Sequence, residues 1–467
     1  MGVTETPVIG RATERAQLEA TMGRALRGEP QLAVLFGRRR VGKTFLLRHV
    51  LDDGEVPALY FAALRGRSRD ELDRFSAESA RVLSTPICTD WRSQFAALVD
   101  AARTRPVVVA IDEAPYLVDE DPSWTSALQH AWDDAQRGGA CHLFICLTGS
   151  AVTTMSTIIS SGGPLFGRAT TRIRLDPFDL PMAHVLLGAP SDPRTTIEAY
   201  AACGGYPLLL RQWDLRLRAE NNLVRLAGAP LAPLATDANA LLLDLPDPTG
   251  YRRVLSAIGR RRKRSEINTD VGHRTDRALA VLEQAGLVRR SYPVDERTPK
   301  AFEYQLADPY LAFWFRIVDP NQQEIDSGQG AEALRRSLPA WQQHLAAVFE
   351  DEARAHAARL VRGSLFPSGV VGRWWTNRPR QAELDVVVNA DRWTVVGEAK
   401  WTDRFGSTEW RAFNQHLDVA GDRATHAVRA LWVKGSVDAS VRALAPKLLV
   451  FGPSDMVAVN ADSDPPA

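Results

Sequence analysis

The chain alternates short, wholly apolar runs with longer stretches in which apolar residues recur every three or four positions. Residues 32–36, 57–61, 107–111, 143–147 and 171–175 read as strands, and residues 68–84 and 91–103 as amphipathic helices. Runs without polar alternation are what parallel strands need when helices cover both sheet faces. Residues 179–248 read as helices with Pro/Ala-rich breaks. Beyond them, residues 275–286 form a helical pattern stopped by Gly286, and residues 287–290 and 302–306 read as two strands. The aromatic stretch from Asp308 to Arg316 reads as a core helix. An amphipathic helix over 341–360 leads into strands around Arg373, at 384–388 and at 394–400, then a helix at 407–421 and a strand at 430–433. This order predicts an α/β multidomain protein.

A length of 467 residues suits two to four domains. With 57 Lys+Arg against 56 Asp+Glu, no global basicity points to nucleic acid, so any such contact must come from a local patch. Arginine far outnumbers lysine, which draws attention to Lys43 and Lys400. The cysteines, Cys88, Cys141, Cys146 and Cys203, lack CxxC or zinc spacing and read as buried free thiols of a reducing compartment. No apolar signal region opens the chain and no apolar stretch is long enough for a bilayer. The expectation is a soluble cytoplasmic protein without a membrane partner.

Chemistry enters where the first strand ends. Residues 37–44 have the spacing GxxxxGK[ST], and helix resumes at Phe45. Gly37 and Gly42 permit a tight path that turns main-chain N–H groups toward phosphates, and Lys43 can reach the β- and γ-phosphates. The Thr44 hydroxyl can ligate Mg²⁺. The helix N-terminus adds a field favourable to anions. Gly37, Arg38, Arg39, Arg40, Val41, Gly42, Lys43, Thr44 and Phe45 therefore form a candidate ATP site. The run 107–111 ends in Asp112-Glu113, at the strand edge where open α/β sheets place ligands. Asp112 would organise the Mg²⁺ shell and Glu113 would polarise the attacking water; a solvated strand end is the bland reading. Ser150, after Thr148-Gly149, could touch the γ-phosphate or simply make a turn. Arg168 could offset transition-state charge in its own subunit or a neighbour's, against a plain surface arginine.

Gly10-Arg11, the loop at 37–44, Asp112-Glu113, Thr148-Gly149-Ser150, the Pro-Leu-Phe-Gly-Arg run ending at Arg168 and the Gly-Gly-Tyr-Pro turn at 204–207 resemble the archaeal-type ATPases. These belong to the STAND branch of AAA+-related P-loop proteins. The similarity spans roughly residues 5–320. It implies a five-stranded parallel sheet, a helical lid and a winged helix, with Gly10, Arg11 and Pro207 near the nucleotide. The winged-helix stretch would contact DNA phosphates through the basic run 260–264, or serve only as a packing module.

A second site lies near the C-terminal end. A turn at 389–392 would pair strands 384–388 and 394–400 so that Asp385 faces Glu398 or its neighbour. The period of two puts Lys400 on the same face as Glu398. Opposed carboxylates about 5 Å apart weaken a sheet unless a cation or proton lies between them. Asp385 and Glu398 would hold Mg²⁺ while Lys400 orients water and offsets phosphate charge; an exposed strand face with a Glu–Lys pair is the bland reading. With Glu350 on the preceding helix, this order resembles the PD-(D/E)XK, restriction-endonuclease-like fold that follows archaeal-type ATPases. The similarity spans about 335–455. It implies that Glu350, Asp385, Glu398 and Lys400 are catalytic, although Glu383-Leu384 stands where the family's proline often precedes the first Asp.

The expected organisation is a P-loop core at 1–176, a helical lid at 177–248, a winged helix at 249–320, a linker at 321–340, the nuclease-like domain at 341–458 and a disordered tail at 459–467. The expected function is an ATP-binding and ATP-hydrolysing switch coupled to a Mg²⁺-dependent DNA endonuclease, with DNA as partner and a possible homo-oligomer. The alternative is a regulatory or signalling ATPase whose later domains bind DNA or protein without cutting.

Overall fold

A computed structural model describes residues 9–459 except 55, 243, 244, 246, 260, 296–301 and 377–379. The chain divides into two compact units between Pro177 and Phe178.

The first unit holds β1 (Gln31–Phe36), β2 (Ala58–Ala62), β3 (Val107–Asp112), β4 (Leu143–Gly149) and β5 (Thr171–Arg174). They form one parallel sheet in the order β2-β3-β4-β1-β5. Every residue of β1, β3 and β4 is buried, which is why they read as unbroken apolar runs; β2, at the edge, alternates. On one flank Phe75 meets Phe61 edge-on and Trp91 and Phe95 at a tilt, and Phe95 in turn meets Trp124 edge-on. The register sets Phe36 beside Gly149 and Ala62 beside Asp112, so the carboxyl ends of β1, β3 and β4 form one rim.

The second unit opens with helices. The helix Pro193–Cys203 ends at the Gly-Gly-Tyr-Pro turn. There a Cβ on Gly205 would lie 1.9 Å from the Phe178 carbonyl oxygen, so the turn is a close backbone approach within this unit. A small antiparallel sheet, β6 (Arg261–Arg262), β7 (Val288–Ser291) and β8 (Glu303–Leu306), has the order β6-β8-β7 and follows or flanks the helices Pro248–Ile258, Arg264–Val271 and Asp276–Gln284. Strand β6 falls inside the basic run. Arg262 pairs with Asp270 and Arg264 with Asp276, so two of the cations expected to face DNA phosphates are engaged by their own unit. Arg260 lies outside the described residues. The aromatic helix is core, as its pattern indicates: Tyr310 and Trp314 are buried and donate to the carbonyl oxygens of Leu234 and Ala235.

The stretch 321–340, expected to be a linker, is instead helical. Gln322–Asp326, Gly330–Arg336 and the start of the next helix fill it, with Ile325, Ala333 and Leu334 buried. The 25-residue helix Leu338–Arg362 follows and packs both on the helices Pro193–Cys203 and Pro309–Phe313 and on the C-terminal sheet. That sheet contains β9 (Val370–Thr376), β10 (Ala382–Asn389) and β11 (Trp393–Lys400). Two short paired strands, β12 (Arg404–Phe405) and β14 (Ser436–Val437), lie outside it, and β13 (Val428–Val433) and β15 (Leu449–Phe451) complete it. The order is β15-β13-β11-β10-β9, antiparallel through β9, β10 and β11 and parallel from β11 to β15. Cys141, Cys146 and Cys203 are buried free thiols, whereas Cys88 is partly exposed. Among the described residues no helix is long and apolar enough to cross a membrane. From residue 460 the expected disordered tail lies outside the described residues.

Candidate functional site

The loop leaving β1 is built by two glycines. A Cβ on Gly37 would lie 2.1 Å from the Leu175 carbonyl oxygen, and Gly42 has φ +98°, a left-handed value that starts the helix Lys43–Asp52. Arg40, between them, also has positive φ (67°), a strained conformation of the sort found around ligand loops. The Lys43 ammonium donates to the carbonyl oxygens of Gly37 (2.8 Å) and Arg38 (2.9 Å). Arg39 donates to the Tyr116 hydroxyl at 2.7 Å, Val41 is buried, and Phe45 is half exposed on the first helical turn. Gly10 has φ +70° and delivers Arg11, whose guanidinium donates to the carbonyls of Val41 (3.3 Å) and Asp176 (2.6 Å). Arg11 therefore ties the loop to the chain after β5.

Asp112 gathers the donors of the rim. Its Oδ2 accepts from the Thr44 hydroxyl at 2.7 Å and the Tyr60 hydroxyl at 2.5 Å, and its Oδ1 from the Thr148 hydroxyl at 2.7 Å and the Glu113 amide at 3.0 Å. Burial and the carboxylate push the Tyr60 phenol up to about 12, so Tyr60 is a standing donor. Glu113 has φ +54°, and its Oε2 accepts from both the amide (3.0 Å) and the hydroxyl (2.9 Å) of Ser150. The loop, Thr44, Asp112, Glu113 and Ser150 thus converge. The donor set, a loop-facing hydroxyl beside a buried carboxylate, fits a hydrated magnesium ion. Tyr60 escaped the sequence reading, and Thr148 entered it only within a motif, without a role; parallel pairing of β2 and β4 with β3 brings both here.

Arg168 and Pro207 complete the expected set. Arg168 forms a fork with Asp133, Nε to Oδ1 at 2.8 Å and Nη2 to Oδ2 at 2.9 Å, and also donates to the Pro164 carbonyl. A bidentate ion pair, rather than Asp112 or Glu113, holds this guanidinium. Pro207 opens the helix Pro207–Leu210 and belongs to the second unit.

The C-terminal constellation is also assembled. Strand β10 pairs with β11 with Val386 opposite Gly397, the register that sets Asp385 opposite Glu398. Lys400 Nζ lies 2.6 Å from Glu398 Oε1 and 3.9 Å from Asp385 Oδ2, and Asp385 Oδ2 also accepts from the Ala399 amide at 3.0 Å. Burial first, then the Asp385 charge, pushes the Glu398 carboxyl up to about 8. Burial would lower the Lys400 ammonium, but Asp385 and Glu398 outweigh it and hold the amine charged. Glu350, on the helix Leu338–Arg362, adds its negative charge to both. Glu398 Oε2 is buried with no hydrogen-bond partner. Among the described residues no group of three or more His, Cys, Asp or Glu is arranged to hold a metal ion. The residues still fit a divalent cation that takes two carboxylates, Asp385 and Glu398, with water or phosphate completing its shell, the usual habit of Mg²⁺.

Residues 11–212 match the family described as an ATPase domain predominantly from Archaea. Residues 314–413 match a family described as archaeal and bacterial proteins of unknown function. An uncharacterized protein of Methanocaldococcus jannaschii is 26% identical over 390 residues, covering 80% of this chain and 83% of that protein. Among solved structures, the Walker-type ATPase of Pyrococcus abyssi shares 23% identity at a TM-score of 0.46, over 66% of this chain and 96% of that one. The Aeropyrum pernix ORC2 protein, in its ADPNP–ADP complexes, shares 13% identity at a TM-score of 0.46, over 72% and 97%. Residues 11–212 are thus similar to an archaeal-type ATPase domain, and residues 314–413 to the second family.

Proposed function

We propose that the first unit binds ATP with Mg²⁺ and hydrolyses it. The observation that carries this reading is the hydrogen bond from Thr44 to Asp112 beside the Lys43 ammonium: a hydroxyl and a carboxylate suited to a cation, next to an amine suited to phosphate. Lys43 would leave the Gly37 and Arg38 carbonyls for the β- and γ-phosphates, while loop N–H groups take the remaining oxygens. Thr44 and Asp112 would hold the cation, whose charge neutralises the phosphates. Glu113 would take a proton from the attacking water through Oε1, because Ser150 engages Oε2. ATP turnover by the full chain, lost in Lys43→Ala and Glu113→Gln, tests this; turnover untouched by both changes overturns it.

For the second unit we propose metal-assisted phosphodiester hydrolysis on DNA, in a restriction-endonuclease-like domain beyond a lid and a winged helix. Convergence of Asp385, Glu398 and Lys400, with an unsatisfied buried oxygen on Glu398, supports it. Asp385 and Glu398 would hold a cation that neutralises the scissile phosphate. Lys400 would orient the attacking water and stabilise the phosphorane charge. The competing reading is a regulatory ATPase that binds DNA or protein without cutting. Plasmid DNA with Mg²⁺ or Mn²⁺, with and without ATP, separates the two: cleavage lost in Glu398→Gln supports hydrolysis, and no cleavage in any condition leaves the regulator.

A further inference from the structure

Strand β10 carries one extra residue against β9 at the site itself. Leu384 lies opposite Trp374 but Val387 lies opposite Gly372, so three steps on β10 span two on β9. Asp385 sits in this bulge. A bulge re-aims the side chain it carries and interrupts the ladder, leaving main-chain groups that need other partners. The Asp385 carbonyl finds one in Arg354, whose Nη1 donates to it at 2.8 Å. Arg354 stands one helical turn after Glu350 on the helix Leu338–Arg362, so the helix face that brings negative charge to the site also brings this donor.

Arg354 is itself held. Its other terminal nitrogen donates to Asp351. Asp351 Oδ2 in turn accepts from Gln305 Nε2 at 2.7 Å and pairs with Arg289 at 3.3 Å. Arg289 and Gln305 are direct cross-strand partners in β7 and β8, so both reach Asp351 from one pair of the small sheet. A continuous chain of polar contacts therefore runs from that sheet through Asp351 and Arg354 to the backbone of Asp385.

We propose that Arg354 is a positioning residue for the C-terminal site: it fixes the bulge that aims the Asp385 carboxylate at Glu398 and Lys400, and the Arg289–Gln305 pair sets its pose through Asp351. The proposal rests on the cation-holding reading of Asp385 and Glu398. A planar guanidinium bridges a carbonyl and a carboxylate at once, which a lysine ammonium does not reproduce. Loss of a residue that orients a metal-holding carboxylate commonly costs 10–100-fold in metal affinity.

The test is Mn²⁺ titration of the full chain, read by the electron paramagnetic resonance signal of the free ion. Glu398→Gln defines the fraction of binding that belongs to this site. Arg354→Met is expected to weaken that fraction by about 10–100-fold, Arg354→Lys by nearly as much, and Gln305→Ala by about threefold. Wild-type affinity in Arg354→Met overturns the proposal. Equal binding by wild type and Glu398→Gln removes the cation-holding reading, and the positioning role falls with it. Should Arg354→Met fail to fold, by circular dichroism, Gln305→Ala and Arg289→Ala decide at the far end of the chain: unchanged Mn²⁺ affinity in both overturns the proposal.

Discussion

The Tyr60 hydroxyl donates to Asp112 Oδ2 at 2.5 Å, sharing that oxygen with the Thr44 hydroxyl. A tyrosine from the edge strand thus orients the carboxylate on which the ATP reading depends, and the Arg48 guanidinium lies over its ring at 4.4 Å. Hydrogen bonds to a charged group contribute about 1.5–3 kcal/mol, so Tyr60→Phe is expected to lower kcat/KM for MgATP about tenfold or more. ATPase rates measured against Mg²⁺ concentration check it. Unchanged kinetics would assign Tyr60 to packing alone.

Ser150 and Glu113 make a second paired prediction. Ser150→Ala removes the hydroxyl but not the amide that holds Glu113 Oε2, so turnover should fall about 3–10-fold. Glu113→Gln should lower kcat by about 10²–10⁴-fold while nucleotide binding persists. A fluorescent ATP analogue and single-turnover hydrolysis separate binding from chemistry.

For Arg168 the expected outcome is modest. Its fork with Asp133 is partly exposed, and such pairs contribute roughly 0–1 kcal/mol. Arg168→Ala, Asp133→Ala and the double variant, compared by urea denaturation, should show a coupling in that range, with ATP turnover near wild type. A loss of turnover beyond about 100-fold in Arg168→Ala alone would mean that the guanidinium leaves Asp133 to meet the phosphates.

Glu352, on the long helix, predicts a pH dependence of stability. Burial, aided by the Asp351 and Asp179 charges and opposed by Arg359, pushes its carboxyl from 4.5 up to about 7. Between those values the folded chain keeps a proton that the unfolded chain has released. Its contribution therefore falls as pH rises through the window and is lowest above about 7. At about 1.4 kcal/mol per pKa unit, the neutral isostere Glu352→Gln should gain on the order of 2–3 kcal/mol at pH 8 relative to pH 4.5. Denaturant midpoints for both proteins across that range check the sign; parallel curves would show that Glu352 stays ionised.

The first unit was legible because its central strands are buried on both faces, and covering helices leave them no polar position. Residues 32–36, 107–111 and 143–147 needed nothing else. The facing of Asp385 and Glu398 followed from period two and a short turn. What stayed hidden is tertiary. Gln322, Gln323 and Glu324 gave the stretch before the long helix the look of a linker, yet burying Ile325, Ala333 and Leu334 suffices to fold it. Tyr60 and Arg354 reach their partners across strands and from a helix, at separations of 52 and 31 residues that no local pattern encodes. Strand β6 lies inside a run of arginines, where apolar periodicity gives no sign of a strand, and its backbone runs in register with β8.

The helix Leu338–Arg362 spans about 37 Å at 1.5 Å per residue. Its first half is sheltered by His344 Nε2 meeting the Ala201 carbonyl at 2.8 Å and by Trp341 against Phe313. Severing the chain near residue 340 would leave the downstream fragment with Trp341 and Leu345 stripped of cover, a sticky flank prone to self-association. Any transplant of the C-terminal sheet to another protein must therefore bring the helices at 193–203 and 309–318 as well.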